Sequence, residues 1–177
     1  MSVPNRRVEA VRSKNHRSPL RHALSSALLL AALAGTSAHA AEDTLAAPLK
    51  AYAGKIVYVD FWASWCGPCA ESFPWLNRMQ ARYGDRLAIV AVDLDTDTNA
   101  AKAFLDHHPA RFNVVYDPAG ALAERYHIDG MPSSVILDAS GRVIHQHSGF
   151  HDASSGEYEA AIRKALDSSG STTGSPP

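Results

Sequence analysis

The chain has 177 residues, 46% of them hydrophobic and 20% charged, which are the proportions of an ordinary globular domain rather than of a fibre or a disordered tail. With 17 Lys and Arg against 18 Asp and Glu it has no broad basic surface, which argues against nucleic acid and anionic membranes as partners. Two cysteines are too few for a disulfide-dense scaffold or for a zinc site of four thiolates.

Residues 1–22 hold Arg6, Arg7, Arg12, Lys14, Arg17 and Arg21 against Glu9 alone, and an apolar run from Ala23 to Ala34 follows. The run closes on Gly35, Thr36, Ser37 and then Ala38-His39-Ala40, the small-x-small pattern a signal peptidase cuts. Residues 1–40 therefore read as a signal peptide, cleaved after Ala40, that sends the remainder to the periplasm. A retained anchor is the competing reading, but a membrane span needs about 20 strongly apolar residues and this stretch is diluted by Ser25, Ser26 and Thr36. Without the leader, acidic side chains outnumber basic ones seventeen to eleven, and both cysteines stand in a compartment that oxidises thiols.

Residues 41–54 form a polar, alanine-rich lead-in. Ile56–Trp62 (IVYVDFW) is β-branched and aromatic, as in a buried strand. From Pro68 to Tyr83 the apolar residues Phe73, Leu76 and Met79 fall at helical spacing, with Gly84 as a stop. A second buried strand is expected over Leu87–Leu94, a helix over Asn99–His107, a short strand over Phe112–Tyr116 and a helix over Ala119–Tyr126. A hairpin then joins Ser134–Leu137 to Arg142–His147 through Asp138-Ala139-Ser140-Gly141, and a last helix spans about Gly156–Leu166. Residues 168–177 (SSGSTTGSPP) read as a disordered tail. Alternating strands and helices predict an α/β domain over 55–167, a three-layer α/β/α sandwich whose first strands are parallel.

The chemistry lies in Trp65-Cys66-Gly67-Pro68-Cys69, where a strand gives way to a helix. That placement sets the first sulfur beside unpaired N–H groups at a helix start, and the second one turn further in and within bonding reach. The positive end of the helix dipole favours thiolate over thiol, so Cys66 is expected to be the nucleophile with a lowered pKa. Cys69, deeper in the helix, is expected to keep its proton until it resolves a mixed disulfide. Pro68 suits a first turn because the N–H it lacks would be unpaired there. Alternation along the first strand puts Tyr58, Asp60 and Trp62 on one face, and a carboxylate in the middle of an apolar strand either has a raised pKa or does not face inward. Trp65 is the better candidate for a surface collar, while a core role suits Trp62.

The segment Val59–Cys69 (VDFWASWCGPC) resembles the active-site segment of thioredoxins. Pro74 stands where that family has a helix-kinking proline, Met131-Pro132 resembles its cis-proline loop, and Gly149 fits the glycine closing its last strand. The extra helix and strand between Asn99 and Tyr116, the run Gly130-Met131-Pro132-Ser133-Ser134 and the export signal resemble the TlpA/ResA-like branch of exported thioredoxin-fold proteins, over roughly residues 45–167. Asp60 and the Gly67-Pro68 pair are closer to cytosolic thioredoxin, and the extension before Lys55 is short for that branch.

The resemblance implies a thiol:disulfide oxidoreductase with no cofactor beyond the redox-active Cys66–Cys69 pair. Asp60 would shuttle the proton of Cys69, a role favoured over that of a hydrogen-bonded structural carboxylate, and Pro132 would hold the mixed disulfide. Trp65, Gly67, Pro68 and Met131 would meet the substrate. A thioredoxin-like potential, about −270 mV against about −120 mV for the periplasmic oxidant DsbA, would make the protein a reductase. A membrane electron donor of the DsbD/CcdA type would then serve it, with substrates such as apocytochrome c or copper-site proteins, and a monomer is expected. Two other functions stay open: a disulfide-donating oxidant, and a copper-binding metallochaperone using the same cysteines. No resident metal is expected.

Three further features take an ordinary structural reading. His145 and His147 share a strand face near His151, which is read as a solvated face rather than a metal site. His107-His108 reads as a helix end, and Asp93, Asp95 and Asp97 as a solvated turn that lacks the Gly and distal Glu of a calcium loop.

Overall fold

The structure, a computed structural model, describes residues 46–170. The leader at 1–40, the start of the lead-in and the end of the tail lie outside the described residues. Five strands form one sheet in the order β3-β2-β1-β4-β5. At its centre is β1 (Ile56–Trp62), every residue of which is buried, as a β-branched and aromatic run covered on both faces requires. β2 (Leu87–Asp93) and β3 (Asn113–Tyr116) run parallel in succession on one side. β4 (Ser133–Leu137) and β5 (Val143–Ser148) are antiparallel on the other.

The connections explain this split. Helices α1 (Gly67–Tyr83) and α2 (Thr98–His107) carry the chain back to start parallel strands. Between β4 and β5 there is only a tight turn, in which the Asp138 carboxylate accepts from the N–H groups of Ser140 and Arg142 at 2.9 and 3.0 Å.

Alternation along the strands divides the core in two. Tyr58, Trp62, Ile89 and Ile136 face α1, with Phe104 of α2 and with Tyr158, Ile162 and Leu166 of α4 (Ser155–Gly170). Val57, Val59, Phe61, Val90 and Val135 face Leu49 of a 3-10 segment at Ala47–Tyr52 and Leu122 and Tyr126 around α3 (Ala121–Arg125). Three layers result, as the sequence predicts, with Pro74 inside α1.

Helix ends differ from expectation where side chains intervene. Gly120 takes a left-handed φ of +70° and the Asp117 carboxylate accepts from Ala121 and Leu122 N–H at 3.0 and 2.7 Å, so α3 starts two residues late. At the other end of the domain, Ser168, Ser169 and Gly170, expected in the tail, are helical. Ser168 and Ser169 hydroxyls bond back to the Lys164 and Leu166 carbonyls at 2.8 and 2.7 Å, and α4 continues to Gly170.

Candidate active site

After Trp62 the chain leaves the sheet through Ala63, Ser64 and Trp65 and enters α1. Cys66 is the N-cap residue, with extended backbone (φ −88°, ψ 100°) and a carbonyl accepting from Cys69 N–H at 3.1 Å. Among the described residues no N-cap side chain bonds to this end, which leaves the positive end of the dipole at the residue that carries the first sulfur. Cys66 and Cys69 are joined in a disulfide, S–S 2.03 Å, across a Cα separation of 5.3 Å. Cys66 is 6% exposed and Cys69 fully buried, the order expected of attacking and resolving sulfurs.

Around the pair, Trp65 is 73% exposed, and Gly67 and Pro68 are also open to solvent. Trp62, by contrast, is core, edge-on to Phe73 at 5.1 Å and 4.8 Å from Phe104. The Met131-Pro132 bond is cis. Ser133 pairs with Phe61, which brings Pro132 to the end of the sheet where β1 runs towards the cysteines. The Pro132 carbonyl is held by Gly149 N–H at 2.7 Å, and Gly149 reaches that position with a φ of +79°, which suits glycine. Met131 packs against the cluster that contains both cysteines.

Asp60 is 2% exposed, on the β1 face that α1 covers, between Tyr58, which packs on Trp75, and Trp62, which packs on Phe73. Burial pushes its carboxyl up to about 7, and the Ser134 hydroxyl, donating to Oδ1 at 2.7 Å, pulls partly back. Its Oδ2 is buried and makes no hydrogen bond among the described residues.

Two readings from the sequence are corrected. The acidic run is not a solvated turn: Asp93 is 0% and Asp95 4% exposed, and Asp97 caps α2 by accepting from Asn99 N–H at 2.9 Å. Asp95 clamps the loop before the redox pair, accepting from Ser64 N–H at 2.7 Å and from Ser64 Oγ at 2.9 Å. Asp93 accepts from Asp95 N–H at 3.2 Å. Burial raises the Asp93 pKa, the bond from Asp95 N–H opposes the rise, and the neighbouring Asp95 carboxylate adds to it. The sequence signal was present, since Asp93 ends an otherwise unbroken apolar strand, but nothing local names Ser64 as the partner.

Nor is the whole His145–His147 face solvated. His147 is half-buried, stacked on Tyr158 with ring centroids 4.2 Å apart, and its Nε2 lies 2.9 Å from the Tyr58 hydroxyl. Burial lowers its pKa, against the pull of the Gly149 carbonyl. His107 and His108 do end α2, with His108 resting on Phe104.

A mixed sheet, a cysteine pair at the first turn after its central strand and a cis-proline beside it define the thioredoxin-like class. A solved structure from Chlorobium tepidum, provisionally assigned as a thiol:disulfide interchange protein DsbE, shares the fold at a TM-score of 0.65 and 47% identity, covering 67% of this chain and 84% of that one. The Redoxin family model matches residues 31–162, and the chain belongs to that family, within the thioredoxin superfamily. Among curated relatives, the thiol-disulfide oxidoreductase ResA of Bacillus thuringiensis is 32% identical over 102 residues, 57% of this chain and 59% of the relative. The thiol:disulfide interchange protein DsbE homolog of Paracoccus denitrificans is 39% identical over 92 residues, 51% of this chain and 49% of the relative. The matched region thus spans about half to three fifths of these relatives' length.

Proposed function

We propose that the protein is a periplasmic thiol:disulfide oxidoreductase that works as a disulfide reductase. The observation that carries this reading is the Cys66–Cys69 disulfide at the uncapped start of α1, with the attacking sulfur at the rim and the resolving one inside. In the reducing direction, Cys66 thiolate attacks a substrate disulfide, bonds to one sulfur and expels the other as a thiolate, which takes a proton from water. The mixed disulfide lies along the cis-Pro132 loop, with Trp65, Gly67, Pro68 and Met131 around it. Asp60 takes the Cys69 proton; Cys69 then attacks Cys66 Sγ, the substrate leaves with two reduced sulfurs, and the protein ends as the Cys66–Cys69 disulfide. A carboxyl titrating near 7 is suited to hold and give up that proton at neutral pH.

The names of the relatives support thiol–disulfide exchange, and the basic-then-apolar leader supports export. For the direction, the reading rests on the Gly67-Pro68 pair shared with thioredoxin, and implies a membrane donor of the DsbD/CcdA type and oxidised apocytochrome c or copper-site proteins as substrates. The test is insulin reduction by dithiothreitol: the protein accelerates it, and Cys66→Ser abolishes the acceleration. Full activity in that variant overturns the assignment. A redox titration separates directions, since a potential near −120 mV rather than about −270 mV would make the protein an oxidant.

A further inference from the structure

The two ends of the sheet differ in charge. β1, β2, β3 and β5 end, and β4 begins, at the edge where the chain enters α1 with Cys66. Among the described residues, five connectors lie at that end: 63–66, 94–97, 117–120, 126–132 and 149–154. They carry Asp95, Asp97, Asp117, Asp129 and Asp152 and no Lys or Arg, only the imidazoles of His127 and His151 beside them. The connectors at the other end, 53–55, 84–86, 108–112 and 138–142, carry Lys55, Arg86, Arg111 and Arg142 against Asp85 and Asp138. Asp95 and Asp117 are buried and engaged by backbone N–H groups, while Asp97, Asp129 and Asp152 are exposed. Hydrogen bonds tie these connectors to the redox pair. Asp95, two residues before Asp97, holds Ser64, two residues before Cys66; Gly149, three before Asp152, holds the carbonyl of Pro132, three after Asp129. Trp65, next to Cys66 in the chain and 73% exposed, points the same way independently, because an indole face attracts cations. Among the described residues the cation found over an aromatic ring is Arg86, on Tyr83 at the other end.

We infer that the redox face selects disulfide substrates whose cystine is flanked by Lys or Arg, through the exposed carboxylates of Asp97, Asp129 and Asp152. The inference names the substrate class of the reductase reading and rests on that reading. The site is the Cys66–Cys69 pair itself; the acidic side chains decide what reaches it. A cationic peptide is drawn to this face on encounter and an acidic one is repelled, before any bond to Cys66 forms, so the bonds and electrons exchanged are those of the reduction alone. Because the three carboxylates face water, salt screens them, with a Debye length of about 10 Å at 0.1 M and about 3 Å at 1 M.

The experiment measures oxidation of the reduced protein by two bridged peptide disulfides that differ only in carrying Lys or Glu on either side of the cystine, read by chromatography of acid-quenched samples. Expected at low salt is a second-order rate constant at least about tenfold higher for the Lys peptide, within the range of electrostatic steering, with the ratio falling to about twofold or less in about 1 M NaCl. Asp97→Asn, Asp129→Asn and Asp152→Asn together should lower the low-salt ratio at least about threefold. Asn keeps the cap that Asp97 gives α2. Asp85→Asn, Asp106→Asn and Asp167→Asn together, an equal change in net charge at the far end, should leave the ratio as in the parent. Taking a ratio cancels any change in Cys66 itself. Equal rates for the two peptides, a preference that high salt does not reduce, or an equal fall in both triple variants overturns the inference and leaves the reductase reading standing. No exchange with either peptide by the parent protein, or full exchange by Cys66→Ser, overturns that reading instead. Should the first triple variant fail to fold, Asp129→Asn and Asp152→Asn, both at exposed connector positions, carry the test as a pair.

Discussion

Asp60 ties one side chain to both chemistry and stability. Its carboxyl titrates at about 7 in the folded chain against 3.8 when unfolded, because the core withholds water from the anion. Below the unfolded value both states are protonated and there is no penalty. As pH rises towards 7 the unfolded chain releases a proton that the folded one keeps, and stability falls, levelling off once the folded group also ionises. A gap of three units corresponds to on the order of 4 kcal/mol. Asp60→Asn should therefore gain stability over the parent between about pH 4 and 7, measured as urea midpoints of the oxidised proteins, and hold that gain at higher pH. An equal gain at every pH would mean that the carboxyl is not the cause. For Cys66, the uncapped helix start predicts that iodoacetamide alkylation of the reduced protein titrates at least about one unit below the ordinary 8.5 of a free thiol.

Among the elements, the loop from β1 to α1 owes its course to a strand it does not belong to. Asp95, beyond the end of β2, holds both the N–H and the hydroxyl of Ser64, two residues before Cys66. Asp95→Ala leaves that N–H without its partner, and a loss of about 1–3 kcal/mol is expected. Asp95→Asn, which keeps one acceptor oxygen, should recover part of it; equal midpoints for the two variants and the parent in urea would show the clamp to be idle. Helix α4 seals the opposite part of the same core through Tyr158, Ile162 and Leu166, with Ile162 0% exposed. Ile162→Ala should cost about 2–5 kcal/mol, the range for truncating a fully enclosed aliphatic side chain.

At the scale of the whole domain, one sheet separates two apolar cores, and β1 contributes side chains to both. Neither core can open without exposing the strand the other is built on. A single unfolding transition is therefore expected: the fluorescence change of Trp62 and Trp75, buried on the α1 side, followed in a Trp65→Phe background that removes the exposed tryptophan, should coincide with far-UV circular dichroism across a urea series. Separate midpoints would mean that the two layers unfold independently.

The cysteine spacing, the strand before it and the helix after it are local features, so the redox pair, its N-cap geometry and the parallel start of the sheet were legible in the amino-acid order alone. The burial of Asp60 was legible too, because a two-residue period assigns strand faces without knowledge of what covers them. Folding alone decided which polar groups acquire partners. Ser64 and Asp95 are 31 positions apart, Asp60 and Ser134 are 74, and Tyr58 and His147 are 89. Such pairs are chosen by strand register and by how the layers close. Acidic or imidazole side chains that read as solvated in the sequence, Asp93, Asp95 and His147, were therefore drawn inside by contacts that no local pattern encodes.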